Sequence, residues 1–135
     1  MISYRAGYEY QLARPYTVGV EIKPAENVWT DYIRLDTNGL LTIERGYSWD
    51  GPSGPAIDTP NFMRGSLVHD ALYQLMREGY IDRERHRKTA DQILKRICRE
   101  DGMSAIRAQW VYLGVRIGGA MSADPKGERP VISAP

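Results

Sequence analysis

His69 and Asp70 stand side by side in the stretch Arg64-Gly65-Ser66-Leu67-Val68-His69-Asp70-Ala71-Leu72-Tyr73, and the chain has only two histidines in all. A neutral imidazole takes a proton from water when its other nitrogen donates to a carboxylate that fixes tautomer and orientation. The stretch reads as the start of a helix, in which each residue turns by about 100°. His69 and Tyr73 therefore share one side while Asp70 points elsewhere, so a base and an anionic ligand leave the same turn in different directions. Asp91, on the next helical stretch, is the candidate to hold the imidazole from behind, provided the two helices run antiparallel and face each other. Asp70 can offer both oxygens to a cation, with carbonyls from Trp49, Asp50 and Gly51 completing the shell, because calcium takes roughly six to eight oxygen ligands in flexible geometry. Such a cation would polarise an ester carbonyl as water attacks, and Tyr73 would line or brace the site. The alternative is a surface-polar His-Asp dipeptide with a packed, satisfied imidazole, since short motifs recur by accident.

These residues need elements to place them. Tyr8, Tyr10 and Leu12, then Tyr16, Val18, Val20 and Ile22, alternate with the strand period, with Pro15 interrupting and Pro24 closing the run. The first of these strands is expected at a sheet edge. Tyr32-Ile33-Arg34-Leu35 and Leu40-Leu41-Thr42-Ile43 flank Asp36-Thr37-Asn38-Gly39, a hairpin signal because Asn and Gly both tolerate positive φ. The first third thus reads as one small antiparallel sheet. Residues 46–61 have neither period and hold three glycines and three prolines, a length of loop uncommon without a task. A proline-stiffened crossover is the simpler reading; Asp50, Ser53, Asp58 and free carbonyls also suit a cation or an anion.

Three helices follow. The first is expected from Phe62 to Glu78, with Gly79 at its end, and the second from Asp82 to Glu100. Ala90, Ile93, Leu94, Ile97 and Cys98 give the second a clear apolar stripe. Arg87 falls within that stripe and Asp91 on its border, about 100° from Ala90. Charges leaning toward a core are expensive unless paired, and an i, i+4 Arg-Asp pair answers only part of that cost. Ser104 can cap the third helix, in which Gly114 and Gly118 invite tight helix packing. The expected fold is α+β: residues 1–120 form a single domain, with a small N-terminal antiparallel sheet over 8–45, a loop over 46–61 and a three-helix core over 62–120. Residues 121–135, with three prolines, read as a flexible tail.

Composition narrows the partners. The 135 residues carry 18 basic and 17 acidic side chains, a net charge of +1, which gives no electrostatic footprint for nucleic acid. The single Cys98 excludes an internal disulfide framework and suits a reducing compartment. No signal peptide and no membrane span is legible, so the chain reads as made in a cytoplasm. His86 lies in the charged run of residues 82–88, most simply a solvated helix face, and zinc would find too few soft ligands. A His-Asp phosphohydrolase would need histidines upstream of the dyad, and none precedes His69.

The combination His69-Asp70-x-x-Tyr73, Arg87-x-x-x-Asp91, Leu94-Lys95-Arg96-Ile97-Cys98 and Tyr112-x-x-Val115-Arg116-Ile117-Gly118 resembles the helical core of the small calcium-dependent phospholipase A-two superfamily. That resemblance spans residues 47–119. It implies a phospholipase A-two-like core with His69 as base, Asp91 as its partner, Asp70 as calcium ligand and Asp50 with its neighbours as the loop contribution. The chain departs from the secreted enzymes in having Gly65 and Ser66 near the place of bracing cysteines, and a proline-rich loop for a glycine-rich one. The whole chain is more closely similar to an uncharacterised domain family of tailed phages and prophages, which shares Asp50-Gly51-Pro52-Ser53-Gly54-Pro55, Ser66-x-x-His69-Asp70-x-Leu72-Tyr73 and the closing Val-Arg-x-Gly. Two functions follow as expectations. One is a calcium-assisted hydrolase of (phospho)lipid esters acting at a membrane interface. The other is a non-enzymatic phage tail or accessory component, made in the host cytoplasm and carried in the virion, that binds phage structural proteins through the same scaffold.

Overall fold

In the computed structural model, residues 2–5, 10–49, 60–119 and 123 are described. Seven short strands precede three helices, which is the expected α+β arrangement. The strands form two antiparallel sheets rather than one. β1 (Tyr4–Arg5), β2 (Tyr10–Leu12) and β7 (Ser48–Trp49) make a three-stranded sheet in the order β1-β2-β7. β3 (Tyr16–Gly19), β4 (Val28–Trp29), β5 (Ile33–Leu35) and β6 (Leu40–Ile43) make a four-stranded sheet in the order β3-β6-β5-β4. The strand expected at an edge, β2, is central, because Tyr4 pairs with Leu12 on one side and Trp49 with Tyr10 on the other. Pro15 lies between β2 and β3, where the chain leaves one sheet for the other and no ladder bond is lost.

The hairpin over residues 36–39 forms, by a different device from the one expected. Gly39 alone takes positive φ, at 86°, and no residue other than glycine does so among the described residues. Asp36 Oδ1 supplies the turn, accepting from the N–H groups of Asn38 at 2.8 Å and Leu40 at 2.9 Å, a local side-chain bond that replaces a second left-handed residue. The alternation it sets up puts Ile33, Leu35, Leu41 and Ile43 on one face, all with no exposed surface. That face joins Leu67, Leu72, Leu75 and Met76 in the main hydrophobic core.

α1 (Pro60–Arg77) begins two residues before the expected start, with proline in the first helical position, where its missing N–H is no loss. Gly79, at φ 79°, ends it. α2 (Arg83–Glu100) is capped by Asp82, whose side chain accepts from the Glu84 N–H, and α3 (Ala105–Gly118) by Ser104, which accepts from the Arg107 N–H. Arg64, near the start of α1, binds Glu100 and Asp101 at the end of α2 at 2.8 and 3.0 Å. With only residues 78–82 between them, α1 and α2 therefore run antiparallel. Gly65 makes their close approach feasible: a Cβ there would lie 2.9 Å from Cys98 Sγ. Gly114 and Gly118 do not serve helix packing among the described residues, where a Cβ at either would meet nothing within 4 Å.

Of the expected tail only Ala123 is described; it is buried, and its N–H binds the Gly119 carbonyl. No helix among the described residues is long and apolar enough to cross a membrane.

Candidate functional site

Asp91 has no exposed surface. Helix geometry put it on the border of the α2 stripe; α3, packed over α2, closes the border and makes it interior. A carboxylate so placed needs hydrogen bonds to replace its water, and four groups face it. His69 Nε2 lies 2.7 Å from Oδ1. The Tyr73 phenol donates to the same oxygen at 2.6 Å. Arg116 Nη1, from α3, donates to Oδ2 at 2.8 Å, and Arg87 Nη1 stands 3.7 Å from Oδ2. Burial by itself would raise the Asp91 pKa, but the hydrogen bonds from His69, Tyr73 and Arg116 outweigh it and hold the group below its ordinary value of 3.8. The same environment, burial first and the bond to Asp91 second, pushes the Tyr73 phenol up.

The antiparallel condition is thus met, and His69 and Tyr73 share a side as one helical turn requires. Their rings lie 4.1 Å apart between centroids. Because an ionised carboxylate only accepts, Nε2 must be the donor to Asp91, and in a neutral imidazole the lone pair then stands on Nδ1. The His69 side chain is 13% exposed while Asp91 is sealed, so the imidazole is the member of the pair that reaches the surface.

Asp70 leaves the turn toward the sheets. Its Oδ2 accepts from the Tyr47 phenol at 2.8 Å, and the same phenol lies 3.1 Å from Gln74 Oε1. Burial first, and Asp70 second, push the Tyr47 phenol up, so it stays a donor. Trp49 is buried, with its indole N–H donating to Ser66 Oγ at 3.1 Å. Asp50 and Gly51 lie outside the described residues. A calcium shell needs roughly six to eight oxygens, and Asp70 is the one carboxylate of the nominated set that is described. No group of three or more His, Cys, Asp or Glu stands together among the described residues. The described donors alone do not complete a calcium site.

Two participants were missed in the sequence. Tyr47 sits in a stretch with no period, so nothing marked its partner. Arg116 adjoins Val115 on the inner side of α3, yet only the packing of α3 on α2 shows that its target is Asp91. Arg87, expected as the i, i+4 partner, is the more distant arginine. Its Nη1 instead reaches the Val115 and Arg116 carbonyls at 3.4 Å each, near the end of α3, where a cation is favoured.

The family described as "Protein of unknown function (DUF1353)" matches residues 27–115. The match takes in 89 of the 135 residues, counting 27 to 115 inclusive, with His69, Asp70, Tyr73 and Asp91 all inside it. No curated protein and no solved structure matches the chain.

Proposed function

The chain belongs to the DUF1353 family, and we propose that its His69-Asp91 pair is the general-base centre of an ester hydrolase. The observation that carries the reading is the 2.7 Å contact between an imidazole that reaches the surface and a carboxylate that does not. Asp91 holds Nε2–H, Tyr73 stacks on the ring, and Arg116 pins the second carboxylate oxygen. Nδ1 is then the basic nitrogen and can take a proton from a water that attacks an ester carbonyl. When that water adds, the proton passes to Nδ1, and the positive charge arising on the ring is opposed by Asp91 behind it. Collapse of the tetrahedral species returns the proton to the leaving alkoxide.

The substrate class, a (phospho)lipid ester, rests on the resemblance of the His69, Asp70, Tyr73 and Asp91 pattern to the phospholipase A-two superfamily. In the same reading Asp70, with Asp50 and the Trp49 and Gly51 carbonyls, would hold calcium, whose contribution when bound is polarisation of the ester carbonyl. The test is fatty-acid release from mixed phospholipid micelles by the purified chain, with calcium and with chelator. Release that disappears in a folded His69→Ala protein supports the proposal. No release under either condition overturns it.

The second reading, a phage structural or accessory component, draws on a separate observation that supports partner binding as such. Ile106, Trp110, Leu113 and Ile117 line one side of α3 and are 76%, 71%, 42% and 85% exposed, a contiguous apolar surface of the kind that marks binding to other molecules. That role predicts co-purification with virions and full infectivity after His69→Ala.

A further inference from the structure

A groove of about 510 Å³ lies between the β4–β5 turn and the end of α1, away from the Asp91 network. Trp29, Tyr32 and Tyr80 line it together with Asp31, Glu78 and Gln74. The three aromatic residues are 69%, 46% and 49% exposed. No lysine or arginine is among the described lining residues, and the one guanidinium packed on a lining ring, that of Arg34 on Trp29, is paired with Glu44. Aromatic faces carry negative potential and attract cations, and two carboxylates add to it, so rings and charges select the same kind of ligand.

The walls are held in place before any ligand arrives. Thr30 closes the β4–β5 turn twice, its N–H binding the Ile33 carbonyl at 2.8 Å and its Oγ1 accepting from the Ile33 N–H at 3.0 Å. The Tyr32 carbonyl is taken by the Glu44 N–H at 2.7 Å. Across the groove, Gln74 Nε2 donates to Glu78 at 3.3 Å while its Oε1 lies 3.1 Å from the Tyr47 phenol oxygen. Pre-ordered walls reduce what binding costs. Trp29 already accepts a cation: the Arg34 guanidinium carbon sits 4.1 Å from its ring centroid, while the guanidinium's own salt bridge goes to Glu44.

We propose that this groove binds an organic ammonium ion, in particular a quaternary one of the choline type. A quaternary ammonium has no N–H to satisfy, so ring faces and nearby carboxylates are the contacts it uses. The volume is within the range of small-molecule sites. The site neither requires nor assists proton transfer at His69.

The experiment titrates the intact chain with choline and with 3,3-dimethylbutan-1-ol, its neutral carbon isostere, following saturation-transfer NMR on the ligand methyl groups. Choline should saturate at about millimolar concentration. Binding should weaken at least tenfold in Trp29→Ala and in the doubly neutralised Asp31→Asn/Glu78→Gln protein, and stay unchanged in His69→Ala. The carboxyl pair is exposed and its neutralisation leaves the core alone, so that variant stands should Trp29→Ala fold poorly. Equal binding of the neutral isostere, undiminished choline binding after both carboxylates are neutralised, or no saturation at all overturns the proposal. Sedimentation with phosphatidylcholine but not phosphatidylglycerol vesicles, reversed by free choline, assigns the cation to a lipid headgroup. Free choline binding without sedimentation assigns it to a soluble ligand. Fatty-acid release is read separately, so failure of either proposal leaves the other's result standing.

Discussion

Tyr73 and His69, one helical turn apart on α1, meet on a single oxygen: the phenol lies 2.6 Å and the imidazole Nε2 2.7 Å from Asp91 Oδ1. Two donors on one oxygen divide the work of replacing its lost water. Removing the phenol leaves that oxygen with the imidazole alone. Tyr73→Phe, which keeps the ring stack, is expected to lower the unfolding free energy by about 1–2 kcal/mol. Urea titration monitored by far-ultraviolet circular dichroism measures it, and an unchanged midpoint would contradict the shared bond.

Asp91 also gives the protein an acid limit. Its pKa is held below the ordinary value of 3.8 in the folded state, so the unfolded chain binds the proton first. The stabilisation is complete above that ordinary value and is lost as pH falls through the lower folded value. The wild-type protein should therefore lose stability steeply below about pH 4, and Asp91→Asn should lose less over the same interval although it is weaker at neutral pH. Parallel acid profiles for the two proteins would show that Asp91 is not the titrating group.

Much of this arrangement is legible in residue order because it depends on local rules. Asp82 and Ser104 announce their helices, the α2 stripe follows the helical period, and His69 and Tyr73 share a side by rotation alone. The division into two sheets is not legible. β1 and β7 have two residues each, too few for a period, and they exist because β2 pairs with both. The burial of Asp91 and the reach of Arg116 depend on how α3 lies against α2, which no single-helix pattern encodes. Asn38-Gly39 shows the limit of a local rule: the turn is where it should be, yet Asp36 supplies the bond that makes it.

Calcium dependence decides whether the proposed chemistry includes a cation at Asp70. Should Asp70 and residues 49–51 hold calcium, the folded chain alone binds it, and at a hundred times the dissociation constant the ion adds about 2.7 kcal/mol of stability. The melting temperature should then rise with calcium, fall with chelator, and become indifferent to both in Asp70→Asn. A wild-type melting temperature that ignores calcium removes the cation from the proposed chemistry while leaving the His69-Asp91 pair intact.

The contact of α1 with α2 makes a prediction that needs no ligand. A Cβ on Gly65 would stand 2.9 Å from Cys98 Sγ and 3.0 Å from Leu94 Cδ1, closer than packed atoms tolerate, and both neighbours are fully enclosed. Gly65→Ala should therefore destabilise by about 1–3 kcal/mol through overpacking, despite alanine's better helix propensity. Cys98→Ala removes the nearer obstacle, so the double variant should recover part of the loss, giving a coupling that additive substitutions would not. The same enclosure governs the thiol. Burial pushes Cys98 up to about 12, and only the thiolate attacks a disulfide reagent. Ellman's reagent should label Cys98 at the rate of unfolding in the native wild type and faster in Gly65→Ala, where the helices are forced apart. Rapid native labelling of the wild type would mean that α1 and α2 do not close over the sulfur.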